Sequence, residues 1–149
     1  MPIKEVATIL PYSGEKVLLQ LRDFNPRIVY PGCWGFFGGT VEFGETPLQS
    51  ARRELSEEIG HIPKEMYALS KDSVSAPNEV MMYSFYAPLG IRPTEIILRE
   101  GMDFGFFTLQ EILSKQLYSN EIKKKFPLVN HPNVIYLVRK LMRKIPKGD

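Results

Sequence analysis

Apolar residues alternate with polar ones, or run unbroken, over residues 3–11 and 16–22, either side of Ser13-Gly14-Glu15. That pattern predicts two strands joined as a hairpin. Residues 23–35 hold two Pro, two Gly and an Asn and read as a loop, and Gly38-Gly39 breaks the chain before a short strand over 40–43. The period then changes. Leu48, Ala51, Leu55 and Ile59 recur at helical spacing and predict a buried stripe. Thr46-Pro47 supplies an N-cap and a first-turn proline, Gln49 completes a capping box, and Gly60 marks the C-terminal stop. Strand-like runs return at 66–73, 79–87, 95–98 and 104–107. Thr108 and Glu111 form a second capping box opening a helix to about residue 115, and Val134, Leu137, Val138, Leu141 and Met142 mark a terminal amphipathic helix over 132–144. Strands enclosing one helix, with more helix at the end, predict a mixed α/β sandwich.

The 149 residues, with 44% hydrophobic and 24% charged, fit one globular domain spanning 1–149 and exclude a largely disordered chain. The longest unbroken apolar run, 134–138, is far short of the roughly 20 residues that span a bilayer. The start of the chain lacks the pattern of a secretory leader, and Cys33 is the only cysteine. A cytoplasmic protein without a membrane partner is expected. The net charge of +2 hides an asymmetry: residues 1–114 carry 10 basic and 15 acidic side chains, residues 115–149 carry 9 and 2. An acidic body beside a basic segment suits a metal site next to a polyanionic ligand, while Lys123-Lys124-Lys125 and the basic run 139–147 also serve as ordinary solvated faces.

The informative chemistry lies on the first helix. At about 100° per residue, Glu57 lies roughly 60° to one side of Glu54 and Glu58 about 40° to the other, so three carboxylates share one narrow face. Like charges so placed destabilise a helix. Arg53, four residues before Glu57, offsets part of that repulsion, and a hard divalent cation, which takes oxygen ligands, offsets more. A solvated acidic face is the alternative, but it has no need of Gly38-Gly39, Glu45 and Gly60 at fixed distances.

This segment resembles the Nudix box: a Gly, five residues, a Glu, seven residues, Arg-Glu, an aliphatic residue, any residue, Glu-Glu, any residue, Gly and an aliphatic residue. Gly39, Glu45, Arg53, Glu54, Leu55, Glu57, Glu58 and Gly60 match in type and spacing, and His61 departs at the final position, with Ile62 one place later. The resemblance implies a Nudix-type α/β/α sandwich with a mixed β-sheet. It implies hydrolysis of the diphosphate linkage of a nucleoside diphosphate joined to another group, by water attack at phosphorus assisted by Mg²⁺ or Mn²⁺. It further implies Glu54, Glu57, Glu58 and the Gly38 carbonyl as metal ligands, Arg53 as the residue orienting the glutamates, and Glu45 as support from behind, holding the loop to the helix.

Outside the box, Glu100-Gly101 resembles the Glu-Gly of MutT-like members, which implies Glu100 as general base or substrate-dependent metal ligand, on a loop free to move with the substrate. Residues 126–132 resemble the segment whose Asn reads the base, which implies Asn130 as a substrate contact. Trp34 and Phe36, like Tyr30 and Phe37, are aromatic candidates for stacking on a base, although such residues are more often core than ligand. His61 and His131 have no partner at metal spacing. The expected partner is a small nucleotide or nucleotide-sugar, with no nucleic acid polymer. Nucleoside triphosphates, oxidised ones included, compete with nucleotide sugars and ADP-ribose. A non-catalytic Nudix-fold nucleotide-binding or regulatory module is the alternative, although such modules usually lose box carboxylates. An isopentenyl-diphosphate-type isomerase would want further His ligands and a nucleophilic Cys.

Overall fold

The computed structural model describes residues 3–75 and 78–146; Lys147, the last member of the basic run, lies outside them. The order is β1 (Lys4–Ser13), β2 (Lys16–Leu21), β3 (Trp34–Gly35), β4 (Phe37–Thr40), α1 (Pro47–Ile59), β5 (Tyr67–Ser75) and β6 (Glu79–Pro88). A 3₁₀ turn (Pro93–Glu95), β7 (Asp103–Thr108), α2 (Leu109–Leu113), β8 (Gln116–Ser119), β9 (Lys124–Pro127) and α3 (Pro132–Lys144) complete it. The main sheet runs β3-β2-β1-β6-β5, with β4 also pairing β1 and β7 also pairing β2. It is mixed: β1 and β6 are parallel, and every other pair is antiparallel.

The period of two builds the layers. Ile9 and Leu18 enter one cluster, with Phe37, Ala51, Leu55 and Ile59 beneath α1. Their neighbours Leu10 and Leu19 enter another, with Trp34, Leu137, Val138 and Leu141 beneath α3. The sheet therefore lies between helices, as the mixed α/β sandwich expectation requires. α1 begins as its sequence dictates: Thr46 Oγ1 accepts from the Gln49 N–H, and the Gln49 side chain accepts from the Thr46 N–H.

Several expectations need correction. The strand placed at 40–43 is Phe37–Thr40 instead. Residues 42–45 form a turn, because the Glu45 N–H bonds the Glu42 carbonyl and the Glu42 N–H bonds the Glu45 carboxylate. The run 95–98 is no sheet strand: the Ile97 and Arg99 N–H groups bond the Ile59 and Glu58 carbonyls at the end of α1. The supposed loop 23–35 ends in a strand, β3, and the β8–β9 hairpin was not foreseen. Leu48 is 40% exposed; Ser50 and Glu58 occupy the buried face of α1 instead.

Trp34 is the main correction to the substrate-contact candidates. It is 0% exposed, its ring meets Phe107 edge-on at 4.9 Å, and its indole N–H donates to the Leu117 carbonyl at 3.0 Å. A side chain so enclosed has no face left for a base. Phe37 is likewise core, under α1. Trp34→Phe leaves the Leu117 carbonyl unpartnered beside a cavity. It should cost about 1–3 kcal/mol by urea denaturation. Substrate KM should stay within about twofold, and a large rise in KM would return Trp34 to the binding surface.

Candidate functional site

The acidic face of α1 presses on the backbone of β4. Gly38 sits opposite Thr8 of β1 with φ +148°, and a Cβ there would run into the Ala7 carbonyl oxygen. A Cβ on Gly39 would overlap the Glu54 carboxylate. Two residues without side chains thus let helix and strand approach until the Gly38 N–H donates to Glu58 Oε2 at 3.1 Å.

Arg53 organises the rest. Its Nε and Nη2 grip the two oxygens of Glu45 at 2.7 and 2.9 Å. Its Nη1 bonds Glu54 at 3.0 Å and reaches both oxygens of Glu57 at 3.3 Å, and Nη2 also meets the Thr40 carbonyl. The hydrogen bonds from Arg53 hold the Glu45 carboxyl below the usual range. Glu54 is shifted upward, chiefly because burial outweighs its bond to Arg53.

Glu58 differs from its neighbours. It is 3% exposed and makes no contact with Arg53 among the hydrogen bonds and ion pairs of the described residues. Burial, and then the charges of Glu54 and Glu100, push its carboxyl up to about 8, against the N–H of Gly38 and the side chain of Gln20. Glu57, by contrast, is half exposed.

Glu100 is exposed, but its backbone is pinned. The Arg99 N–H bonds the Glu58 carbonyl on one side and the Met102 N–H bonds the Leu21 carbonyl on the other. Gly101 turns with φ +85°, where a Cβ would crowd the same Leu21 oxygen. The expectation of a loop that moves with the substrate is therefore replaced by a fixed loop with a free side chain.

Among the described residues, no group of three or more His, Cys, Asp or Glu side chains is placed to hold a metal ion as the side chains stand. The chemistry of the donors is nevertheless that of a hard-cation site. Glu54, Glu58 and Glu100 lie close enough to repel one another, and Arg53 reaches Glu54 but not Glu58 or Glu100. Carboxylates left in that state are what Mg²⁺ or Mn²⁺ binds.

A cleft of about 380 Å³ opens on the opposite face of β1, lined by Val6 and Thr8 with Arg22, Tyr30, Phe36, Val80, Met82, Val129 and Asn133. Phe36, on its wall, stands two residues before Gly38. Asn130 is exposed and borders a smaller hollow beside Lys115, not this cleft. Asn133, three residues on, lines the cleft, and among the described residues its Nδ2 donates to the Met82 sulfur, at 3.3 Å. His131 caps α3 by accepting the Asn133 N–H, and the ring of His61 bonds the Leu89 carbonyl. Gln20 and Asn133 escaped the sequence reading.

The family model for the NUDIX domain matches residues 2–128, and the chain belongs to the Nudix family. An ADP-ribose pyrophosphatase of Methanocaldococcus jannaschii is 44% identical over 52 residues, which are 35% of this chain and 29% of that protein. An 8-oxo-dGTP diphosphatase of Haemophilus influenzae is 32% identical over 68 residues, 46% of each chain. The chain thus matches less than half the length of these relatives. The crystal structure of a MutT NUDIX hydrolase from Burkholderia pseudomallei superposes with a TM-score of 0.70 at 17% identity, covering 95% of this chain and 99% of that one. It shares the fold.

The upward shift of Glu58 has a consequence for stability. The folded chain keeps a proton there that the unfolded chain releases above its ordinary value of 4.5. The resulting stability is full below that value and is lost as pH rises through about 8. Without divalent ions, Glu58→Gln should therefore lose less stability than the wild type between those limits. Parallel pH profiles from urea denaturation would show that Glu58 is ionised throughout.

Proposed function

We propose that this chain is a divalent-metal-dependent pyrophosphohydrolase acting on a nucleoside diphosphate joined to a further group. The observation that carries the reading is the buried Glu58 carboxylate, fixed by the Gly38 N–H beside Glu54 and within the field of Glu100. Glu54, Glu57, Glu58 and the Gly38 carbonyl would hold Mg²⁺ or Mn²⁺, with Glu100 facing them. When bound, the cation neutralises the diphosphate charge that grows in the transition state and lowers the pKa of coordinated water.

The chain's own groups supply the rest. Glu100 accepts the proton of the attacking water; the water oxygen bonds to phosphorus as the bridging P–O bond breaks, and the leaving phosphate keeps the electron pair. Arg53 keeps Glu54 and Glu57 aimed at the reacting region, and Glu45 keeps Arg53 in place. The cleft takes the nucleoside: Phe36 and Tyr30 offer ring faces, and Asn133 offers an amide whose present partner is a thioether. The named relatives act on nucleotides, one on an oxidised deoxynucleoside triphosphate and one on ADP-ribose, and both classes fit this arrangement. No helix of the described residues is long and apolar enough to cross a membrane, and with one cysteine in the sequence we place the protein in the cytoplasm.

A substrate panel with Mg²⁺ or Mn²⁺ tests the reading. Nucleoside triphosphates, oxidised ones, nucleotide sugars and ADP-ribose are assayed for released nucleoside monophosphate, phosphate and pyrophosphate. At least one class should turn over, and Glu57→Gln and Glu58→Gln should each lower kcat by about 10²-fold or more. Absence of turnover across the panel, or near wild-type turnover in both variants, refutes it.

Asn133→Ala should raise KM about tenfold, equivalent to about 1.4 kcal/mol, while Asn130→Ala changes it less than about twofold. The reverse order would return base recognition to Asn130.

A further inference from the structure

Past Lys16 at its exposed start, β2 carries one polar side chain among leucines and valine: Gln20 in Lys16–Leu21. The alternation that sends Leu18 under α1 sends Gln20 to the same face, where it is 5% exposed. Burying a carboxamide is unfavourable unless its hydrogen-bonding groups are met. A leucine there would match the strand's other inward positions at no such cost.

Two contacts of Gln20 lie at the edge of the site. Its Nε2 donates to the Phe36 carbonyl at 3.1 Å, on the segment that leads into Gly38. Its Oε1 lies 3.2 Å from where a Cβ on Gly101 would stand, so the Glu100 loop is seated against it. Two pieces far apart in sequence therefore meet at one side chain: the strand entrance to Gly38, whose N–H donates to Glu58, and the loop of Glu100.

We propose that Gln20 is a positioning residue that fixes the segment entering Gly38 relative to the loop of Glu100. The inference rests on the metal-dependent hydrolase reading above. Neither Gln20 nor its amide touches the reacting atoms; it holds the strand entrance at Gly38 and the Glu100 loop in register, so that the donor oxygens stand in place before the cation arrives. Groups that orient ligands in this way typically account for about 10–100-fold in metal affinity or activity.

The test uses Gln20→Met, close in length and flexibility but without donors, and Gln20→Leu as a second variant, each in the full chain. Mn²⁺ alone is titrated calorimetrically, without nucleotide, and kcat and KM are measured on the best substrate of the panel. The Mn²⁺ Kd should rise about tenfold and kcat should fall about tenfold. KM should stay within about twofold, and Tm should not fall. A role in packing alone predicts the opposite: Tm moves while Kd and kcat do not.

Wild-type binding and turnover retained in both variants overturn the role of Gln20 and leave the hydrolase reading standing. Failure of the wild-type chain to bind Mn²⁺ or turn over any substrate overturns both. Loss of the native near-UV spectrum in both variants makes Gln20 a requirement of the fold and likewise overturns the proposal.

Discussion

The guanidinium of Arg53 is the interaction on which the acidic face depends. Three glutamates within two turns of a helix repel one another, and the helix would be weakened by several tenths of a kcal/mol per pair without a counter-charge. One fork binds Glu45 through both oxygens while the remaining donor meets Glu54 and Glu57. An ammonium has no planar fork and offers no such simultaneous geometry. Because Glu45 also receives the Glu42 N–H, the same group ties the turn before α1 to the helix and brings β4 up against it. The strand without side chains at Gly38 and Gly39 is then close enough to bind Glu58.

That compensation is uneven, and the unevenness divides the carboxylates. Arg53 serves Glu45, Glu54 and Glu57 and does not reach Glu58. Glu57 is exposed and held by a positive partner; Glu58 is enclosed, bonded only to neutral donors and faced by other acids. A carboxyl in that setting keeps its proton until a stronger counter-charge displaces it. The face is thus stable as a folded surface because of Arg53, while Arg53 leaves Glu58 uncompensated.

Most of this was legible where the information is local. The spacing from Gly39 to Gly60, with Thr46 and Pro47 opening the helix, lies within one stretch of chain, and the structure places α1 accordingly. What was missed depends on distant partners. Trp34 stands in a Pro- and Gly-rich stretch, and its burial is decided by Phe107 and by Leu117, 83 residues away. The β8–β9 hairpin hides its inward residues, Leu117 and Phe126, among lysines and polar groups. The run 95–98 has a strand's composition, but the free carbonyls at the end of α1 claim its N–H groups. Asn130 and Asn133 differ by less than one helical turn, and Asn133, whose N–H the His131 ring caps, is the one that lines the cleft. Gln20 went unnoticed in the apolar run of β2, because nothing near it in the chain announces the Phe36 carbonyl and the Gly101 turn it meets.

The fixed loop of Glu100 joins these observations. The Glu58 backbone carbonyl accepts the Arg99 N–H, while the Glu58 carboxylate lies in the field of Glu100. One helical residue therefore sets the position of the loop through its main chain and part of the loop's electrostatic environment through its side chain. The other end of the loop is anchored by Leu21, the strand neighbour of Gln20. With both ends bonded and Gly101 turned tightly between them, the main chain cannot swing toward a substrate without breaking bonds to α1 or β2. Adjustment is confined to the Glu100 side chain, which is exposed and free to rotate. Such a site works by having its charges arranged before the ligand enters, which avoids reorganisation at the moment of reaction.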